Sequence, residues 1–302
     1  MGVDTLQNQP SWAFVTPSYT GDLERCALLC RSMDAFLKGP WHHYIVVDKP
    51  HFTAFKSLAG PRRTILHTED VAPGGMRLLF NMRFIGGRSL WWSRDTGLSL
   101  GWHLQQMIKI GIAEQVREEG LAYCDSDTFF LRPFDVALLT KGSQFRLFRD
   151  AARAGLETIA NPSYTKASLE MLGAQNSSGT YHSYIDNFVT WHRPTVLALC
   201  TYLAERFKGK WQRALRHRVQ FSEYILYGLF VDEVQKTNPH HFIDNFSLCR
   251  TQWHRQTMSP AEIEAFCADL HPHVVTVGVQ SFAGVDVGLL VQEFEKAVKI
   301  FG

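Results

Sequence analysis

The chain has 302 residues, 45% of them hydrophobic, 20% charged and 13% aromatic, an ordinary globular make-up with enough length to bury a core without cross-links. Its 31 basic and 29 acidic residues nearly balance, which argues against a dedicated nucleic-acid binder. No run approaches the ~18 apolar residues of a membrane span. The start, MGVDTLQNQPSW, has neither the basic n-region nor the apolar h-region of a signal peptide, and Leu6 stands where a myristoylation site needs Ser or Thr.

Residues 12–16 (WAFVT) read as a first buried strand, stopped by Pro17. From Asp22 to Phe36 the apolar residues 23, 26, 27, 30 and 33 follow helical spacing, and Gly39-Pro40 ends that helix. Tyr44–Val47 reads as a second strand that delivers Asp48 at its carboxyl end, and Thr64–Leu66 as a third. Such alternation predicts a parallel α/β sheet. Residues 72–101, rich in Gly and Arg, read as an ordered but irregular excursion carrying Trp91 and Trp92. Leu104–Val116 is a predicted helix with Leu104, Met107, Ile108 and Ile112 on its core face, while Gln105 and Lys109 share another. Leu121–Cys124 is a strand, and it ends at Asp125-Ser126-Asp127.

The second half reads as more helical. Pro194 suits a first helical position, ahead of an apolar stripe at Val196, Leu199, Cys200, Leu203 and Phe207. The run Lys208–Arg218 reads as a solvated helix face, or as a contact for an anionic membrane surface or an acidic acceptor. Phe221–Val231 is a predicted helix bearing Glu223, and Asp186 precedes a predicted strand, NFVTW. Ser259-Pro260-Ala261-Glu262 is a capping box. Val274–Val277 follows as a strand and Asp286–Phe301 as an amphipathic helix. The six cysteines show no Cys-x-x-Cys spacing and are expected as reduced, buried thiols of a cytoplasmic protein. With no repeat or linker, one domain over 1–302 is expected, split at about 135/136 into two functional halves.

Two carboxylates one residue apart at the end of a buried strand are costly unless something compensates their charge. A hard divalent cation, Mn²⁺ or Mg²⁺, does so through oxygen ligands and fills its remaining positions with phosphates. The carboxyl ends of strands in open α/β sheets are also where ligands bind. Asp125 and Asp127 are therefore the metal candidates, beside a diphosphate leaving group whose charge the ion would stabilise. A solvated Asp-Ser-Asp turn is the bland alternative.

Residues 106–135, QMIKIGIAEQVREEGLAYCDSDTFFLRPFD, resemble the core of the glycogenin-like, GT-A-fold glycosyltransferases: a helix with a Lys, an apolar strand, Asp-x-Asp, then Thr and apolar residues. FVTPSYTGD (14–22) is similar to the first strand and nucleotide-gripping loop of that fold, and VVDKP (46–50) to its second strand. Gly101-Trp102-His103-Leu104-Gln105-Gln106 resembles the GW-x-x-QQ of a group of bacterial glycosyltransferase-like chains.

The resemblance implies a Rossmann-like GT-A domain with a mostly parallel central sheet flanked by helices. Residues 1–135 would bind a nucleotide-diphosphate sugar and 136–302 a saccharide or lipid-linked acceptor. Asp127 would ligate the metal, and Asp125 would ligate it or hold the ribose. Lys109 would neutralise phosphate or brace the acidic pair, and Thr16, Pro17, Ser18 and Asp48 would line the nucleotide. The family's metal-binding His-x-x-Gly-x-x-Lys-Pro-Trp segment is missing, which leaves His254, His271 and His273 as third-ligand candidates, with His254 preferred by chain order. For an inverting reaction the general-base candidates are Glu223, whose aromatic neighbours would desolvate it, and then Asp186. Trp91, Trp92, Trp102, Trp191 and Trp253 are candidate sugar platforms, with one or two expected at the site.

The expected activity is thus a metal-dependent glycosyltransferase in the cytoplasm, with peripheral contact at the inner face of a membrane left open. A non-catalytic nucleotide- or carbohydrate-binding protein on the same scaffold is the alternative. A haloacid-dehalogenase-type phosphohydrolase needs Thr at the fifth motif position, where Phe129 stands, and a sugar nucleotidyltransferase needs a richer glycine loop than Gly21 alone provides.

Overall fold

The structure, a computed structural model, describes residues 9–72, 75–82, 88–151, 161–175, 182–216, 218, 220–236, 239–254 and 256–302. In its first half β1 (Trp12–Ser18) leads into α1 (Leu23–Phe36), the two-residue β2 (Leu37–Lys38) and β3 (Trp41–Val47). Then come α2 (Lys49–Phe55), β4 (Arg63–His67) and the single turn α3 (Thr68–Val71). A meander of β5 (Arg77–Met82), β6 (Arg88–Ser93) and β7 (Gly97–Leu100) runs directly into α4 (Gly101–Gly111), and β8 (Gly120–Cys124) ends at the acidic tripeptide.

The second half holds β9 (Thr128–Phe130), β10 (Phe134–Asp135), β11 (Thr140–Lys141), β12 (Gln144–Phe148) and α5 (Asn161–Leu172). β13 (Phe188–His192), α6 (Arg193–Arg206) and α7 (Glu223–Leu229) follow, with α7 widening into π-helical turns through Gln235. β14 (His241–Asp244), β15 (Cys249–Gln252), α8 (Pro260–Ala268), β16 (Thr276–Val279) and α9 (Val287–Phe301) complete the chain.

The central sheet has the order β13-β8-β1-β3-β4. Its β8, β1, β3 and β4 are mutually parallel and β13 is antiparallel to β8. Side chains alternate across it as the pleat requires. Ala13, Val15, Leu121, Tyr123 and Trp191 face a core built with α4, α6 and α7. Trp12, Phe14, Ala122, Cys124 and Phe188 face a second core with α1, α9 and the small β15-β16-β9 sheet. The expected class, α/β with a parallel-rich sheet between helices, is the observed one.

Three local expectations need correction. β1 does not stop at Pro17: it pairs with β8 only to Val15 but with β3 to Ser18, so the proline sits where one edge of the strand is open and needs no donor there. The excursion at 72–101 is a three-stranded antiparallel sheet, with Trp91 buried on one face and Trp92 exposed on the other. The basic run is not a helix face, because among its described residues only a short 3₁₀ segment, Trp211–Leu215, forms. Helix signals fared better. Ser259 accepts from the Glu262 N–H while the Glu262 carboxylate accepts from the Ser259 N–H, a complete capping box at α8. All six cysteines are buried free thiols. Among the described residues no helix is long and apolar enough to cross a membrane.

Candidate functional site

β1 has β3 on one side and β8 on the other, so the connections leave it in opposite directions and open a crevice at the strands' carboxyl ends. A groove of about 600 Å³ lies there, lined by Pro17, Ser18, Asp48, Thr68, Trp102 and Phe282 among others. Burial raises the Asp48 carboxyl above its ordinary range, with a hydrogen bond from Thr68 opposing it. Thr16 is fully buried and has another task. Its hydroxyl donates to the Cys124 carbonyl over 2.7 Å and lies 2.9 Å from His43 Nε2, tying β1 to both neighbouring strands. Arg63 Nε donates to His43 Nδ1, which leaves the imidazole proton on Nε2 to point at Thr16.

The acidic tripeptide stands beside this groove. Asp127 is only 9% exposed. Its Oδ2 accepts from the Ser281 N–H at 3.2 Å, whereas its Oδ1 is buried without a hydrogen-bond partner. Burial, followed by the charges of Asp125 and Asp22, pushes its pKa up to about 7. Ser126 Oγ donates to Asp22 Oδ2 at 3.3 Å, which joins the loop after β1 to the tripeptide. Asp22 is itself buried and its pKa is raised by that burial, against the pull of Arg25. The Arg25 guanidinium donates to the carbonyls of Val279 and Val285, and so anchors the turn that carries Ser281 and Phe282. Gly284 closes that turn at φ +69°, a conformation glycine adopts without strain.

Asp125 is positioned from below. Lys109 of α4 is buried, only 6% exposed. Its Nζ lies 3.1 Å from Asp125 Oδ1, 3.3 Å from Glu223 Oε1 and 2.7 Å from the Tyr224 hydroxyl. Burial opposes its charge, but Asp125, Tyr224 and Glu223 outweigh it and hold the lysine pKa well above the ordinary value. Glu223 opens α7 and is 4% exposed; burial raises its pKa and Lys109 counters that.

Four carboxylates, Asp22, Asp125, Asp127 and Glu223, thus gather around two cations, Arg25 and Lys109. Their formal charges sum to minus two, and a divalent ion at this place would find an unused oxygen in the orphaned Asp127 Oδ1. Among the described residues no group of three or more His, Cys, Asp or Glu side chains is arranged to hold a metal, so the remaining ligands of such an ion would come from water and phosphate.

The other candidates lie in different settings. His254 is exposed just beyond the end of β15 and joins no such cluster. The His271 and His273 rings meet at 4.1 Å, tilted by 44°, before the start of β16, whereas Asp127 meets that strand at its other end, Val279. Asp186 is 1% exposed, with Oδ2 accepting from Ser247 Oγ and Oδ1 from the Asn187 N–H. Of the tryptophans, Trp91 and Trp102 line the groove, the latter 47% exposed. Trp191 is core, stacked 4.5 Å from Tyr227, while Trp92 and Trp253 are exposed elsewhere.

A family profile described as a family of unknown function, DUF6492, matches residues 14–301. The chain belongs to DUF6492. No curated protein matches it in sequence. Among solved structures this DUF6492 chain is similar to the apo structure of the bifunctional glycosyltransferase WbbM, with a TM-score of 0.51 and 10% identity. That likeness covers 97% of this chain and 50% of WbbM, so the chain spans half of that protein's length, and at this identity it speaks for the fold alone. The galactosyltransferase LgtC with donor and acceptor sugar analogs aligns at TM-score 0.48 and 12% identity, covering 96% of each chain. An active-site mutant of LgtC aligns at 0.47 and 12%, covering 88% and 86%. The matched DUF6492 span includes Asp22, Ser281 and Phe282, which sequence reasoning did not single out. Asp22 had one signal, its place in the loop after the first strand; Ser281 and Phe282 had none, because only folding brings residue 281 to residue 127.

Proposed function

We propose that this protein is a metal-dependent glycosyltransferase of the GT-A type, taking its sugar from a nucleotide-diphosphate donor. The observation that carries the reading is Asp127: a buried carboxylate beside Asp125, with one oxygen unclaimed, at the switch point of a parallel sheet. The likeness of the whole chain to WbbM in fold supports it. Asp125 and Asp127 would hold Mn²⁺ or Mg²⁺, and an ion bound there neutralises the charge growing on a departing diphosphate. Lys109 fixes Asp125 through their ion pair, and Glu223 keeps Lys109 in place. Pro17, Ser18 and Asp48 form the groove wall that would meet the nucleoside, and Trp102 offers an exposed ring face to base or sugar. Glu223, which adjoins Asp125 through Lys109, would serve as the general base in preference to Asp186. The acceptor would be a saccharide or a lipid-linked sugar.

A non-catalytic binder on the same scaffold is favoured by one observation, the lack of a third protein ligand among the described residues. Incubation with a panel of nucleotide sugars, with Mn²⁺ and with a chelator, separates the two readings. The enzyme releases nucleoside diphosphate only with metal and loses that activity in Asp127→Ala. Tight binding without turnover assigns the binder instead.

A further inference from the structure

The meander bears an apolar outer face. Across β6 and β7, Trp92 pairs with Leu98, and the two are 43% and 66% exposed. Leu90 and Leu100, the next pair on that face, are half-buried. Arg77 stands opposite Trp92 on β5 and is exposed, as is Arg94 in the turn after β6. An apolar slot of about 230 Å³ adjoins this face, lined by Leu90, Leu98, Leu100, Met107, Leu215 and Arg218.

The basic run is fastened to the same hairpin. Arg213 Nε lies 3.1 Å from Asp95 Oδ1, and Lys210 Nζ lies 3.8 Å from Asp95 Oδ2, in the turn between β6 and β7. Leu215 and Arg218 share the slot with Leu98, so the cations border the apolar face directly. Lys208 and Arg216 are exposed beside them.

We propose that this face docks on an anionic lipid bilayer, with Trp92 and Leu98 entering the boundary between headgroups and acyl chains. Exposed apolar surface rimmed by cations has the chemistry of an interfacial anchor: aromatic and aliphatic side chains bury among lipids while Lys and Arg meet lipid phosphates. A second copy of the chain fits less well, because a two-fold interface would set this cationic rim against itself, and Asp95 and Glu170 are already occupied by Arg213 and Arg218. Neighbouring residues of α4 connect the face to the groove, for Trp102 lines the groove and His103 the slot. Docking therefore holds the groove close to the membrane surface. The inference does not depend on the reaction proposed above.

Flotation of the full chain with vesicles tests it. The chain should rise with vesicles of phosphatidylcholine mixed with phosphatidylglycerol and not with phosphatidylcholine alone, and added salt should weaken binding. Arg216→Gln should lower affinity about fivefold. Leu98→Glu should abolish flotation, and both variants should melt with the wild type because both side chains are exposed. No flotation of the wild type, or undiminished flotation of Leu98→Glu, overturns the proposal. A concentration-dependent dimer that Leu98→Glu disperses, without flotation, assigns the face to a second copy and overturns it equally.

Discussion

Lys109 and Glu223 form an ion pair of 3.3 Å in the interior, with side chains 8% and 5% exposed, and the same ammonium reaches Asp125. One lysine therefore joins the packing of α4 and α7 to Asp125. Lys109→Met leaves Glu223 buried without its counter-charge, a loss of about 3–5 kcal/mol in stability. The double variant Lys109→Met/Glu223→Gln should recover most of that in urea unfolding. If it stayed as unstable as Lys109→Met, the loss would not come from an uncompensated charge on Glu223.

Asp127 links stability to pH. Its folded pKa of about 7 lies above the unfolded value of about 3.9, so between these limits the folded state keeps a proton that the unfolded state has released. Stability from this group must then fall as pH rises from about 4 to about 7. Asp127→Asn, which retains an acceptor for the Ser281 N–H, should remove that slope. Paired melting curves across this window measure it, and parallel curves would contradict the assignment.

The same carboxyl sets how a cation competes with protons. Binding at Asp127 must displace one proton below about pH 7, so Mn²⁺ affinity should rise roughly tenfold per pH unit up to there and then level off. Calorimetric titration at several pH values reads this directly; a flat profile would place the ion elsewhere.

Trp102 and Ser259 separate binding from folding. Trp102→Ala removes an exposed ring from the groove and should weaken nucleotide-sugar binding roughly tenfold while leaving the melting temperature in place. Ser259→Ala removes the α8 cap and should cost about 1 kcal/mol without touching binding.

Local signals were readable in the sequence and non-local ones were not. The capping box at Ser259, the proline opening α6 and the apolar strand ahead of Asp125 each depend on a few neighbouring residues, and each formed as its pattern predicts. The strand through Pro17 depends on which side of β1 keeps a neighbour, a fact of sheet order invisible in WAFVTPS. The meander was hidden by its glycines and arginines, although Trp91 and Trp92 already alternate as a two-faced strand requires. At the candidate site, Asp125, Asp127 and Lys109 stand out in the sequence because motif and spacing mark them. Ser281 was missed because 154 residues separate it from its partner.

Whether Asp125 and Asp127 hold a cation against a diphosphate can be read by electron paramagnetic resonance of Mn²⁺ titrated into the protein with a nucleoside diphosphate. One bound Mn²⁺ per chain is expected, tightened by the nucleotide and lost in Asp127→Ala while the variant remains folded. Equal binding by wild type and Asp127→Ala would contradict it.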